Sequence, residues 1–260
     1  MNDYSTLTRD NRGVATLTIK NAGKLNVLSS VVMDDLTSTL QQLAQDDSVK
    51  VLILASGGER AFIGGADLKE MAQLDALQAE TFIRRLKSLC DALRAFPAPV
   101  IARVQGWCLG GGLEVAASCD IRVASSDAHF AMPEVRMGIP SVIHAALLPR
   151  LIGRGRASWL MLAADTIDAR RALEWGMVEQ VVDAENLDAA VSDLVGKLVE
   201  SSARVLRAQK ALLNQWDELP LGASVEASVQ SFRKSFESGE PMQFMSAFLE
   251  QRRQRAPASS

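Results

Sequence analysis

Short apolar runs are spaced along the chain and predict a series of buried strands. The segments 14–20 (VATLTIK) and 49–55 (VKVLILA) are rich in β-branched residues, a composition typical of strands. The first of them follows a turn predicted at 11–13 (NRG). Further short strands are predicted at 100–104, 121–124, 128–132 and 178–182.

Helical periodicity separates these strands. Ser29 or Ser30 can cap a helix, because each carries a hydroxyl that accepts from free backbone amides. The apolar residues that follow recur at helical spacing, at Val32, Leu36, Leu40 and Leu43. Strands that alternate with helices predict an α/β fold.

The pattern becomes almost continuously helical beyond Asn186. Breaks are predicted at Pro220, Gly222 and 239–241. Pairs of phenylalanines spaced four residues apart form an apolar stripe, at Phe232, Phe236, Phe244 and Phe248. Such a stripe needs cover, which either the core of the same chain or another subunit can supply. We therefore predict a core at 1–190, a C-terminal helical region at 191–255 and a disordered tail at 256–260.

Composition narrows the class of protein. A chain of 260 residues with 48% hydrophobic content can bury a large core. The formal net charge is −3, and the longest basic cluster is the short QRRQR at 251–255, so nucleic-acid or membrane-surface binding has little electrostatic support. The polar start of the chain and the lack of a long uncharged apolar run predict a soluble, cytoplasmic protein.

Cysteine and histidine spacing predicts no metal site. Cys90, Cys108 and Cys119 form no CxxC pair, and His129 and His144 are 15 positions apart. Neither a structural zinc nor a disulfide framework is therefore expected. We interpret the cysteines as buried thiols.

The segment 108–120 (CLGGGLEVAASCD) combines a glycine triplet with an embedded carboxylate, Glu114. Glycine allows a ligand to approach the backbone, and the first amides of a following helix have no intrahelical acceptor. The segment 61–71 (AFIGGADLKEM) has a similar order, with two glycines before Ala66 and with Asp67 at a plausible helix start. Two such amides directed at one oxygen form an oxyanion hole.

Three ordered motifs together resemble the enoyl-CoA hydratase/isomerase (crotonase) superfamily, and enoyl-CoA hydratases most of all. They are GGADLKEM at 64–71, GWCLGGGLEVAASCD at 106–120 and FAMPEVRMGIP at 130–140. The similarity extends from about Val14 to FLEQRR at 248–253. It implies a spiral of ββα repeats and a C-terminal helical region that forms trimers, usually paired into hexamers.

The resemblance also implies a reaction. Family members act on coenzyme A thioesters, and hydratases add water to a trans-2-enoyl-CoA without a metal or redox cofactor, coenzyme A being part of the substrate. By position, the amides of Ala66 and Gly111 match the oxyanion pair, and Glu114 and Glu134 match the two catalytic carboxylates. We assign Glu114 as the base that activates water and Glu134 as the acid that protonates the α carbon. The reverse order stays open.

Structural roles compete with these catalytic ones. A glutamate such as Glu114 can be satisfied by backbone amides or can cap a helix, although an unpaired charge among the apolar residues of LEVAA is costly. Glu134 can be a surface carboxylate with Arg136 as its neighbour.

Further residues are candidates for substrate binding. Four of them flank the predicted amides: Gly65, Asp67, Leu68 and Gly110. Ser141 and His144 lie in 138–153 (GIPSVIHAALLPRLIG), where this chain departs from the glycine-rich pattern of relatives. His144 can contact a polar acyl group or assist proton transfer, but it can equally be a packed core residue.

The resemblance places coenzyme A contacts at several positions. Lys24 and Lys69 can attract phosphates, although each can be only a solvated lysine. Phe248 matches an aromatic that approaches adenine in relatives. A nearby lysine of the family is replaced by Gln251, and Arg252 is the available substitute.

Two other functions stay open at this point. A different crotonase reaction, such as isomerisation, decarboxylation or thioester hydrolysis, uses the same oxyanion hole. A non-catalytic RNA-binding protein is the other alternative, which the acidic net charge and the two glutamates disfavour. The sequence leaves the acyl group and the pathway open.

Overall fold

The computed structural model describes residues 4–21, 23 and 25–255. Its strands are β1 (Ser5–Arg9), β2 (Val14–Ile19), β3 (Val51–Ser56), β4 (Ala61–Ile63), β5 (Val100–Val104), β6 (Trp107–Leu109), β7 (Ile121–Ser125), β8 (His129–Ala131), β9 (Thr166–Asp168) and β10 (Gln180–Val182). Its α-helices are α1 (Ser30–Leu43), α2 (Leu68–Met71), α3 (Ala76–Ala95), α4 (Gly111–Ala117), α5 (Leu148–Ile152), α6 (Arg154–Ala163), α7 (Ala169–Trp175), α8 (Leu187–Val199), α9 (Ala203–Glu218), α10 (Leu221–Glu237) and α11 (Glu240–Arg255). Short 3₁₀ helices span Glu134–Met137, Ile143–Leu147 and Ala184–Asn186.

Two sheets organise the first part of the chain. The larger sheet has the order β1-β2-β3-β5-β7-β10, and all of its pairs are parallel except β1 with β2. The smaller sheet has the order β4-β6-β8-β9, with β9 antiparallel to β8. Two strands that follow one another in the chain, such as β3 and β4 or β5 and β6, lie in different sheets, and a helix follows each such pair. The predicted ββα repeat is therefore confirmed.

The main core lies on one face of the larger sheet and includes residues of the smaller sheet and of the helices α1 and α3. Helix α1 begins after Ser29 and buries the predicted stripe, Val32, Leu36, Leu40 and Leu43, together with Met33. The opposite face of the same sheet is covered by α8, where Leu187, Val191 and Val195 pack in one cluster with Val51, Ile101 and Val123. The larger sheet is thus buried on both faces, as parallel sheets usually are.

The chain divides into two compact units, 1–203 and 204–260. The boundary predicted at 190 falls inside α8, whose apolar face packs on the larger sheet. Helix α8 therefore belongs to the first unit. The tail predicted at 256–260 lies outside the described residues.

The second unit, as described, consists of helical segments. Gly222 lies within α10 and does not break it, whereas Pro220 precedes that helix and Gly239 separates it from α11. The four phenylalanines of the predicted stripe are exposed in the single chain: Phe232, Phe236, Phe244 and Phe248. No helix among the described residues has the length and apolar character needed to cross a bilayer.

Candidate active site

The glycine triplet forms the entrance to α4 and places a carboxylate in its first turn. Gly110 precedes the helix with φ +51°, a conformation that favours glycine. Its carbonyl accepts from the amides of Leu113 at 2.8 Å and Glu114 at 3.1 Å. Gly111 is the first helical residue, so its amide has no intrahelical acceptor. The amide of Gly111, one of the predicted pair, therefore has no acceptor within its own helix.

The second predicted amide, that of Ala66, lies after the neighbouring strand. Leu28 forms a parallel bridge to Ala66, donating to Gly65 O at 2.8 Å and accepting from Asp67 N at 3.0 Å. Ala66 lies between Gly65 and Asp67, the two residues that bond to Leu28. In a parallel bridge the residue at this position directs its own amide away from the partner strand. A Cβ on Gly65 would lie 3.3 Å from Leu109 O, which shows how closely the two loops approach.

Both amides follow the carboxyl ends of adjacent parallel strands. Strand β4 pairs with β6 through Ala61 and Ile63, and the segments that carry Ala66 and Gly111 leave these two strands. This arrangement brings the two motifs together although they are far apart in sequence.

Glu114 is almost fully buried, with 2% of its surface exposed. Its Oε2 accepts a hydrogen bond from the amide of Ala145 at 3.0 Å. Burial raises the pKa of Glu114 to about 8, and the nearby Glu134 adds to the rise, while the amides of Ala145 and His144 oppose it. A carboxyl with such a pKa can hold or release a proton near neutrality.

Glu134 approaches the same turn from the other side. It begins the 3₁₀ helix Glu134–Met137, and its Oε1 lies so close to Gly110 that a Cβ there would overlap it. Its Oε2 accepts from the hydroxyl of Ser141 at 2.9 Å. The alternative partner, Arg136, instead donates to Ala163 O at 3.2 Å. The structure therefore places both predicted carboxyl groups beside the glycine triplet.

His144 contributes to the site through its main chain. Its Nε2 lies 3.3 Å from Asp91 Oδ1 on α3, and among the described residues its buried Nδ1 has no hydrogen-bond partner. Burial lowers the pKa of the imidazole, although Asp91 opposes this effect. These contacts agree with the alternative role of His144 as a packed residue, which here is half-buried.

The remaining predicted substrate-binding residues lie in different parts of the structure. The side chain of Asp67 caps α2, accepting from Lys69 N at 2.9 Å and Glu70 N at 3.3 Å, and Leu68 is exposed. Phe248 is exposed in the second unit, and the Arg252 guanidinium lies 5.9 Å from its ring centroid. Lys24 lies outside the described residues. The coenzyme A contacts of these residues stay predictions.

Two supporting residues were missed by sequence reasoning. Ala145 supplies the amide that binds Glu114, and nothing in the residue type marks this role, because every residue except proline carries such a donor. Asn26 is buried with φ +53°, and its Nδ2 donates to Gly57 O at 3.0 Å and Ala61 O at 2.9 Å. Asparagine is enriched in this backbone region, which is the one feature by which the sequence could have indicated it.

The three cysteines are buried thiols, as predicted. Burial raises the pKa of Cys90 and Cys108 above the usual range for thiols, so both are held as neutral thiols. Among the residues that the structure describes, no group of three or more histidine, cysteine, aspartate or glutamate side chains is arranged to hold a metal ion.

Comparison with known proteins identifies the family. Residues 9–256 match the family model described as "Enoyl-CoA hydratase/isomerase". The chain belongs to this family. It is 32% identical to the short-chain-enoyl-CoA hydratase of Clostridium acetobutylicum, with 92% of each chain covered, and 32% identical to the crotonyl-CoA hydratase of Syntrophomonas wolfei, with 92% of this chain and 93% of that one covered.

Solved structures of the same family share the fold. The enoyl-CoA hydratase of Bacillus anthracis superposes with a TM-score of 0.92 at 27% identity, covering 96% of this chain and 97% of that one. The Mycobacterium smegmatis enzyme superposes with a TM-score of 0.92 at 31% identity, covering 95% and 96%. The predicted crotonase fold and the predicted hydratase class of enzyme are therefore confirmed.

Proposed function

We propose that this enoyl-CoA hydratase adds water syn across the double bond of a trans-2-enoyl-CoA and releases the 3-hydroxyacyl-CoA. The observation that carries the proposal is the buried carboxyl of Glu114 with Glu134 nearby, both beside the glycine turn that begins α4. A single carboxylate is enough for many isomerisations, whereas hydration needs one group to take a proton from water and another to give one to carbon. The pair therefore favours hydration.

The amides of Ala66 and Gly111 supply the oxyanion hole in this proposal. Attack of water at the β carbon moves negative charge onto the thioester oxygen. Fixed amide donors stabilise this charge without reorganising during the reaction, and one such donor contributes about 10²–10³ in rate. The α4 amides that face the same direction add a favourable dipole.

Glu114 acts as the base and Glu134 as the acid in this scheme. A base is most effective when its pKa lies near the working pH, and burial raises the pKa of Glu114 to about 8. Glu114 takes the proton of water as the new C–O bond forms, and Glu134 delivers a proton to the α carbon as the enolate collapses. The oxygen and one hydrogen of water become the new hydroxyl group, and the other hydrogen is left on Glu114. Release of this proton from Glu114 and uptake of one by Glu134, through solvent, restore both groups for the next turnover, and no step uses a metal or redox cofactor.

The substrate class follows from the relatives. Two of them are named for short-chain-enoyl-CoA and crotonyl-CoA, so crotonyl-CoA is the natural first substrate, and the degradation of fatty acids or related acyl-CoAs is the proposed context. Lys24, Lys69 and Phe248 are proposed contacts for coenzyme A. The cytoplasmic location predicted from the sequence stays a prediction.

Loss of the conjugated-thioester absorbance of crotonyl-CoA tests the activity directly. We expect Glu114→Gln and Glu134→Gln each to lower kcat by about 10²–10⁴, because each removes a proton-transfer group but keeps its shape. Glu59→Gln, which changes an exposed glutamate outside the described site, is the matched control. Wild-type rates in both glutamate variants would reject the assignment.

Two further readouts separate the remaining alternatives. Incubation in H₂¹⁸O places the label on the β carbon of a hydration product, whereas an isomerase product carries none. The acid and base roles are separated by kcat/KM, which reports groups of the free enzyme. If Glu114 is the base, kcat/KM rises as the pH rises through about 8, and a fall over the same range assigns it as the acid.

We also propose that the protein assembles as a homotrimer or as a hexamer of two trimers. The support is the apolar stripe of the second unit, whose phenylalanines are exposed in the single chain, at 69% for Phe232 and 59% for Phe248. Exposed apolar surface of this kind is typical of subunit interfaces.

A further inference from the structure

One short segment contacts both catalytic carboxyl groups. Ser141 donates its hydroxyl to Glu134 Oε2 at 2.9 Å, and Ala145 donates its amide to Glu114 Oε2 at 3.0 Å. Ser141 makes its contact through its side chain, whereas Ala145 uses only its backbone amide.

The segment is held firmly at its C-terminal end. Ala145 is 2% exposed and Leu148 is fully buried, and the imidazole of His144 contacts Asp91 on α3. Ile143, which precedes His144, has φ +40°, a conformation that is rare for a β-branched residue and is retained only when its surroundings impose it. Packing against the core therefore fixes the backbone from Ile143 onward, two residues after Ser141.

The two oxygens of Glu134 have different surroundings. Oε1 lies against the backbone of Gly110, and Oε2 accepts from Ser141. Contact on one side and a hydrogen bond on the other define the rotation of the carboxyl group. At 2.9 Å the Ser141 hydroxyl lies at an ordinary hydrogen-bond distance from Oε2, so it can hold this orientation of the carboxyl group.

We propose that Ser141 is a positioning residue, which orients the Glu134 carboxyl toward the α carbon of the bound thioester. This inference rests on the proposed hydration. Ser141 exchanges no proton with the substrate, and it acts through Glu134. Its loss leaves the acid present but free to rotate, so the proton is delivered from a less favourable geometry. Misplacement of a catalytic group costs up to about 10²-fold in rate.

The test is a double-mutant cycle with crotonyl-CoA. We expect Ser141→Ala to lower kcat about tenfold with KM changed less than twofold, and Ser141→Thr, which keeps the hydroxyl, to recover most of the rate. In the Glu134→Gln background the same Ser141→Ala change should lower kcat less than twofold, because no acid is left to orient. A purely structural role would give the same loss in both backgrounds.

Ser126→Ala is the matched control, because the Ser126 hydroxyl also donates to a carboxylate, that of Asp183 at 3.5 Å, at the end of β7. It should leave kcat unchanged. Equal losses in the two backgrounds, or full activity in Ser141→Ala, would overturn the positioning role while hydration by the wild type still stands. A wild type that does not hydrate crotonyl-CoA would overturn the proposed function and this inference with it.

Discussion

At the residue scale, the site depends on one carboxyl group that folding moves out of water. Glu114 is 2% exposed, and burial raises its pKa from 4.5 to about 8. The sequence showed the apolar neighbours LEVAA but not the depth of burial, which comes from elements far apart in the chain. The amide of Ala145 compensates part of the cost. The proposed base therefore also destabilises the fold when it is ionised.

This burial predicts a pH-dependent effect of Glu114→Gln on stability. Between pH 4.5 and 8 the folded state keeps a proton that the unfolded state has lost, so wild-type stability falls as the pH rises through this range. Glutamine keeps the shape and does not titrate. We expect the variant to gain about 1–3 kcal/mol relative to the wild type between pH 5 and pH 8, measured by urea unfolding.

Glu59→Gln is the control for this measurement, because Glu59 is exposed and meets water in both states. Its effect on the free energy of unfolding should be the same at pH 5 and pH 8. If Glu114→Gln shows the same flat difference, then the carboxyl is not buried as the structure has it.

Local rules predicted the parts of the site that depend on neighbours in sequence. The glycine turn before α4 and the Asp67 cap of α2 were both recognisable, since a positive φ and an N-cap are set within a few residues. Contacts between residues that are far apart in the sequence could not be recognised in this way. The Ser141 hydroxyl and the Ala145 amide reach Glu134 and Glu114 only after the segment 141–145 packs beside α4.

At the scale of elements, length decides what the pattern can show. Helix α1 and the strands β2 and β3 are long enough for their apolar spacing to be read, and each appears where it was predicted. Three-residue strands are too short to establish a period: β4, β6 and β9 were not predicted, whereas β8 and β10 were recognised only through the short apolar segments that contain them. Strand β1 is largely polar and pairs only with β2 at the edge of the larger sheet, so its pattern resembles a loop.

Replacing glycine by alanine is expected to have opposite effects on stability at the end of a helix and in its interior. Gly176 ends α7 with φ +78°, whereas Gly196 lies inside α8 with open space around its Cβ position. We expect Gly176→Ala to lower the free energy of unfolding by about 1 kcal/mol, because alanine is strained in the left-handed region. Gly196→Ala should raise it by about 0.5–1 kcal/mol, because alanine favours a helix interior.

Urea unfolding of both variants beside the wild type tests this pair. Each serves as the control for the other, since both add the same methyl group and neither glycine lies in the candidate site. Equal effects of the two substitutions would show that the backbone conformation at Gly176 does not set the difference.

At the scale of the whole molecule, the chain divides into two compact units after residue 203, later than the boundary at 190 expected from the sequence. The family resemblance supplied the ββα order, and the two sheets follow it. The boundary was placed too early because α8 resembles the later helices in sequence, whereas its burial against the larger sheet assigns it to the first unit. Periodicity shows that a helix has an apolar face but does not show what covers that face.

What covers the exposed phenylalanines of the second unit can be measured. Phe232 lies on α10 with 69% of its surface exposed and its ring centroid 5.1 Å from that of Phe236. If another subunit covers this pair, burying Phe232 contributes about 1.5–3 kcal/mol per subunit. Phe232→Glu should then shift the wild-type trimer or hexamer to smaller species in light scattering. The control is Gln230→Glu, which adds the same charge on another side of α10 and should leave the mass of the assembly unchanged. A monomeric wild type, or an intact assembly in Phe232→Glu, would contradict assembly through this face.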